Sequence, residues 1–259
     1  MNPYEERQFL SHMHRRAPVS ETLDILFGDA RVGDAPFLPL YLDCLDKTGT
    51  PVAAWKVFQR AQRALIVAQY FDYSLSIEGG RAECGVYRGF SALLMSRIAR
   101  LRDAAYSGAD LHLIDSFEGL SEPTPPDAMG TRERLDGRKE LHYSHARGHF
   151  ETPLEGVKEA LAEYSQTAIH KGWIPEVFAE LPEQRWAFVH IDVDLYEPTR
   201  ACLDYFVPRM APGGVIVNDD FRSSFFPGCG QAWFEYFQVG DRPYVILDSG
   251  QSVYMNARA

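Results

Sequence analysis

The feature that most restricts the fold of this chain is a change of hydrophobic rhythm near Arg81. From there on, short apolar runs alternate with segments of helical spacing. The strand-like runs are Arg81 to Tyr87 (RAECGVY), Leu111 to Ile114, Trp186 to Ile191 (WAFVHI) and Val215 to Val217. Runs that are apolar throughout suit strands covered on both faces, and strand–helix alternation builds a doubly wound, mainly parallel sheet. Helical spacing follows through Ala92, Leu94, Met95 and Ile98, and again over Leu154–Tyr164, Thr199–Phe206 and Gln231–Phe237. Tyr244–Leu247 and Ser252–Met255, either side of Asp248-Ser249-Gly250-Gln251, predict a terminal antiparallel hairpin.

Before Arg81 the chain reads as helices and loops. Ala54, Phe58, Ala61, Leu65 and Ala68 predict a long amphipathic helix over Val52–Ser74, which Gly79-Gly80 ends. Residues 1–79 are thus expected to form an N-terminal helical cap on a core of residues 80–259, in one compact domain. Residues 122–150, rich in proline, glycine and charge, predict a long loop, with or without a short helix in it, of the kind that often serves as a lid or a binding segment. The formal net charge of −10 argues against nucleic-acid and anionic-membrane partners, which call for a basic face. No apolar run reaches spanning length and no apolar segment follows Met1, so a cytoplasmic protein is expected. The widely spaced Cys44, Cys84, Cys202 and Cys229 read as unbridged thiols without a catalytic role.

Three motifs carry chemistry. In Glu83-Cys84-Gly85-Val86-Tyr87-Arg88-Gly89-Phe90-Ser91, the glycines admit a ligand close to the backbone, and a helix N-terminus follows. An acid at the strand end suits an amino-acid moiety better than a diphosphate; the other reading is a structural turn. Asp115-Ser116-Phe117-Glu118-Gly119-Leu120 ends the next strand. There Asp115 can hold ribose hydroxyls and Phe117 can face an adenine, or Asp115 or Ser116 can cap a helix. The third motif pairs His190-Ile191-Asp192-Val193-Asp194 with Asn218-Asp219-Asp220, both at strand ends that open to one edge. Strand periodicity places His190, Asp192 and, in a continuing strand, Asp194 on one face. Four carboxylates there repel one another unless a cation compensates, and an all-oxygen set suits Mg²⁺, Mn²⁺ or Ca²⁺. The alternative is helix capping, or pairing with Arg200 or Arg222. His142, His145 and His149 form an HxxHxxxH pattern in a charged loop, better read as solvated or acceptor-contacting than as a zinc site. Trp173 and Tyr196 are candidates for stacking on a sugar or an adenine, or for core packing.

The strings ECGVYRGFSALLM, LIDSFEGL, KGWIPEVFAELP, HIDVDLYEPT and PGGVIVNDDF, in this order over residues 80–238, resemble the macrocin O-methyltransferase family of sugar-hydroxyl methylating enzymes. The resemblance implies a seven-stranded, Rossmann-like methyltransferase sheet that ends in the antiparallel hairpin. It implies S-adenosylmethionine as cofactor, held at Glu83, Gly85, Gly89, Ser91, Asp115, Ser116, Phe117 and Asp192. It also implies Mg²⁺ on Asp192, Asp219 and Asp220, and Asp194 as the base. The implied acceptor is a sugar on a nucleotide or a natural product. The N-terminal helices are expected to supply the interface of a homo-oligomer, a dimer or larger. Val193 stands where the family usually has glycine, Pro198 where serine is frequent and Asn218 where an apolar residue is common; no carboxylate is lost. A catechol-type O-methyltransferase and a non-catalytic nucleoside-binding protein are the competing expectations.

Overall fold

The computed structural model describes residues 19–53, 56–133, 139–240 and 242–257. Among the described residues three helices come first, α1 (Val19–Phe27), α2 (Phe37–Thr48) and α3 (Val57–Ser74), with a two-stranded ribbon of β1 (Arg31–Val32) and β2 (Ala35–Pro36) between the first two. Ala54, part of the helix expected from Val52, lies outside the described residues. The sheet proper then begins with β3 (Gly80–Cys84), followed by α4 (Phe90–Arg102) and β4 (Leu111–Asp115). β3 stops short of the expected Tyr87 because Gly85 and Tyr87 turn into left-handed backbone, with φ of 85° and 48°.

The stretch expected to be a loop over residues 122–150 contains an exposed hairpin, β5 (Gly130–Glu133) with β6 (Lys139–His142). Next come α5 (Leu154–Ala160) and β7 (Ala168–Lys171), a half-buried edge strand whose short AIHK sequence gives no strand pattern. β8 (Trp186–Ile191), α6 (Tyr196–Phe206), β9 (Met210–Asn218), α7 (Pro227–Gly240), β10 (Tyr244–Ile246) and β11 (Ser252–Met255) complete the fold.

The seven-stranded sheet runs β10-β11-β9-β8-β3-β4-β7. Five strands are parallel and the C-terminal hairpin joins β9 antiparallel. Strand periodicity divides the core. Phe188, Val215 and Val217 face α3 and α4, while Val189, Ile191 and Ile216 face Leu203 and Phe206 of α6 and Trp233 of α7. Leu23, Phe37, Leu38 and Tyr41 of α1 and α2 join the first of these clusters, so the leading helices share a core with the sheet. All four cysteines are buried and unbridged, and no helix among the described residues is long and apolar enough to cross a membrane.

The order reverses between β3 and β8: from β3 the chain winds outward through β4 to β7, then crosses back to β8. The C-terminal ends of β3, β4, β8 and β9 therefore open on one crevice, where doubly wound sheets bind ligands.

On β4, His112 stacks on His170 of β7, with Nδ1 3.1 Å from Nε2 of His170, and meets the edge of Trp186. Burial, helped by the nearby His170, lowers the His112 pKa from 6.5 to about 4. Between these values the unfolded chain binds the extra proton, so stability is lost as pH falls from 6.5 toward 4. Thermal melts should show a smaller drop in melting temperature from pH 7 to pH 5 for His112→Gln than for the native chain.

Candidate active site at the carboxyl ends of the parallel strands

A cleft of about 470 Å³ lies at the reversal point, lined by Gly85, Asp115, Ser116, Trp173, Asp192, Asp194, Asp219 and Asp220 among others. Gly85 is required there. Its φ is 85°, and a side chain would run into the Asp192 carbonyl, so β3 and β8 approach too closely for any other residue. Asp115 fixes the turn that follows. Its Oδ2 accepts from the Val86 and Tyr87 amides at 2.6 and 3.1 Å, and its Oδ1 from the Phe117 amide at 2.7 Å. Neither capping nor ligand binding alone describes Asp115: it ties two loops together and still faces the cleft. Ser116 bonds within its own loop, and Phe117 is buried in the core rather than lining the cleft.

Glu83 is fully buried behind the cleft, opposite His190 on β8. Its Oε1 accepts from the Ser91 hydroxyl and lies 2.9 Å from His190 Nδ1, while Oε2 has no partner. Ser91 and His190 line a small adjoining cavity with Arg60, Arg63, Asp192 and Asp219. Gly89, at φ 81°, caps α4 next to it.

β8 ends at Ile191, so Asp194 does not continue the strand. A tight turn closed by Leu195 N–H to the Val193 carbonyl, 2.6 Å, swings it back, with Asp194 itself at φ 62°. Such left-handed backbone in a non-glycine residue costs on the order of 1–3 kcal/mol. The turn brings carboxylate oxygens of Asp192, Asp194 and Asp220 within 4.8 Å of one another. Burial and mutual repulsion push Asp192 and Asp194 well above the usual carboxylate range.

Asp219 is held differently. Its Oδ1 accepts from Gln251 Nε2 at 2.7 Å and lies 3.7 Å from His190 Nε2, and its Oδ2 accepts from Arg63 Nη1 at 3.0 Å. The same Arg63 nitrogen reaches Asp220 Oδ1 at 3.2 Å. Burial opposes ionisation of Asp219, yet Arg63 and His190 outweigh it and hold its carboxyl well below the usual range. Burial likewise opposes a charge on His190, but the nearby carboxylates of Asp219 and Glu83 raise its pKa. The protein cation that serves the cluster is thus Arg63, not Arg200, which pairs with Asp204 of its own helix.

Arg63 belongs to a row that sequence reading passed over. Lys56, which caps α3, and Gln59, Arg60 and Arg63 within it fall at i, i+3, i+4 and i+7 on one face, and all line the cleft. The signal was the polar face of the helix recognised by its apolar one. Trp173 lines the cleft with Arg147 over its ring, whereas Tyr196 does not and bonds Glu235. His145 and His149 form no metal cluster among the described residues; His145 stacks on Phe226 and His149 meets Phe150 edge to face, two aromatics on the cleft wall.

The fold and this edge define a methyltransferase-type α/β sheet. The O-methyltransferase NovP superposes with a TM-score of 0.61 at 22% identity, over 76% of this chain and 81% of that one. The profile of the macrocin-O-methyltransferase (TylF) family matches residues 67–242, and the chain belongs to that family. It is 30% identical over 164 residues to the 8-demethyl-8-(2,3-dimethoxy-alpha-L-rhamnosyl)-tetracenomycin-C 4'-O-methyltransferase of Streptomyces olivaceus, covering 62% of this chain and 58% of that protein. It is 27% identical over 164 residues to the mycinamicin III 3''-O-methyltransferase of Micromonospora griseorubida, covering 62% and 61%. The chain thus spans about three fifths of the length of these curated relatives.

Breaking a buried charge pair from one side costs about 3 kcal/mol. Arg63→Met should therefore lower the melting temperature in EDTA by roughly 5–10 °C. Differential scanning calorimetry of the two proteins checks this.

Proposed function

We propose that the protein is an S-adenosylmethionine-dependent O-methyltransferase acting on a sugar hydroxyl of a nucleotide-sugar, such as a deoxysugar, or of a glycosylated natural product. We further propose that Mg²⁺, or Mn²⁺ or Ca²⁺ in its place, assists the reaction. The observation that carries this reading is the meeting of Asp192, Asp194 and Asp220 in the cleft that also holds the Gly85 turn and Asp115.

The residues fit both groups. Glu83 Oε2, buried without a partner, is a free acceptor suited to an ammonium, and the bare Gly85 backbone leaves room for an amino-acid tail. Ser91 and His190 hold the Glu83 carboxylate in place, and the Gly89 turn presents the α4 N-terminus to a carboxylate. Asp115, oriented by three amides, keeps lone pairs for ribose hydroxyls. Oxygen-only donors suit a hard divalent cation rather than zinc or copper. Asp192, Asp219 and Asp220 would hold it, with Arg63 yielding its bond to Asp219.

When bound, the cation lowers the pKa of an acceptor hydroxyl, and S-adenosylmethionine supplies a methyl already activated on sulfonium. Asp194 takes the hydroxyl proton on its carboxylate. Burial first, then Asp220 and Asp192, raise its pKa in the unloaded cleft, so a cation on the neighbouring carboxylates would also serve to keep Asp194 ionised and able to accept the proton. With S-adenosylmethionine held at Glu83, Gly85 and Asp115, its methyl would pass to the deprotonated acceptor oxygen, with S-adenosylhomocysteine as the leaving product. What remains for the protein is alignment, which the rigid strand ends supply.

Asp194→Asn should lower kcat by roughly 10²–10⁴-fold, with S-adenosylhomocysteine affinity unchanged by calorimetric titration. EDTA should stop turnover and Mg²⁺ restore it. Full activity of the variant, or undiminished turnover in EDTA, overturns the mechanism. Preference for catechols over sugars in an acceptor screen overturns the substrate class.

A further inference from the structure

On a chain of formal net charge −10, four cations gather in the cleft. Lys56, Arg60, Arg63 and Arg222 line it together with Asp115, Asp192, Asp194, Asp219 and Asp220. In the unloaded cleft Arg63 pairs with Asp219 and Asp220. Arg60 and Arg222 are exposed, and neither forms a side-chain hydrogen bond or ion pair among the described residues. Lys56 and Arg60 stand one helical turn apart with Arg63 beyond, so like charges repel along the row; burial first, and then Arg60, lower the Lys56 pKa. The Lys56 ammonium sits over the Phe225 ring at 5.3 Å, and Phe225 belongs to the same loop as Arg222. The two elements thus bring their cations to one aromatic-walled opening.

Charge bookkeeping shows what this opening lacks. Four cations against five carboxylates leave the cleft at about −1. Glu83 and His190 form a pair of their own. S-adenosylmethionine adds one positive charge and a divalent cation two, so the loaded site carries an excess of about two positive charges. A neutral glycoside leaves that excess unmatched in a partly dehydrated cleft. A diphosphate diester, with two negative charges, cancels it, and exposed arginines suit phosphate oxygens.

We infer that the acceptor is a nucleoside-diphosphate sugar, its diphosphate held by Lys56, Arg60 and Arg222 at the mouth and its sugar reaching Asp194. This rests on the methyltransferase reading and chooses between the two acceptor classes it leaves open.

Calorimetric titration of the full chain loaded with Mg²⁺ and S-adenosylmethionine, with uridine diphosphate, thymidine diphosphate and the two parent nucleosides, tests the site without an acceptor sugar to turn over. At least one diphosphate should bind at least tenfold more tightly than its nucleoside. Arg222→Glu and Lys56→Gln should each weaken that binding roughly tenfold, while S-adenosylhomocysteine affinity stays unchanged. Equal affinity for nucleoside and diphosphate, or diphosphate binding indifferent to both substitutions, overturns the proposal. Turnover separates its failure from that of the underlying reading. If a neutral rhamnoside is methylated with the same kcat/KM as a nucleoside-diphosphate rhamnose, the anionic acceptor falls and the methyltransferase stands. If S-adenosylhomocysteine does not bind and neither sugar is methylated, both fall.

Discussion

Repulsion between carboxylates at the ends of two neighbouring parallel strands is the constraint around which this molecule is arranged. Parallel pairing of β8 with β9 brings Asp192 beside Asp219 and Asp220 whatever else the chain does, because the register sets Ile191 against Asn218. Left in water such acids would be unremarkable. Half enclosed, they demand positive charge, and the chain supplies part of it from α3, more than 100 residues upstream in sequence, through Arg63. The leading helices are thereby joined to the sheet by charge as well as by the apolar cluster of Phe37, Tyr41 and Phe71.

The four carboxylates do not share one environment. Arg63, Gln251 and His190 stabilise the anionic form of Asp219, whereas Asp192 and Asp194 are held toward the protonated form. One edge of one sheet therefore holds two kinds of carboxylate, one stabilised as an anion and others whose burial resists ionisation, a separation achieved by neighbours alone.

The legibility of this arrangement in the sequence follows the range of the interactions. WAFVHI reads as a buried strand because every residue is apolar or strand-forming, and it spans β8 from Trp186 to Ile191. The hairpin around Asp248-Ser249-Gly250-Gln251 reads from turn residues, again a local signal. β7 was not legible because AIHK owes its strand to the edge of β4, a long-range pairing. The hairpin of residues 130–142 was hidden for the same reason: its exposed sides carry no apolar alternation. In the site, the acids were legible as types at strand ends, but their partners were not. Nothing local links Gln251 or Arg63 to Asp219, and the turn at Asp194 appears only as a left-handed φ.

Gln251 gives the fold a temporal character. The residue that braces Asp219 lies in the turn that leads into β11, and β11 pairs with β9 only after β10 has been made. A chain emerging from the ribosome can pair β3, β4, β8 and β9 and bury most of its core while Asp219 still lacks that brace. The acidic edge is completed by the sheet's last strand to be synthesised, so an unfinished chain can be compact and still be chemically incomplete.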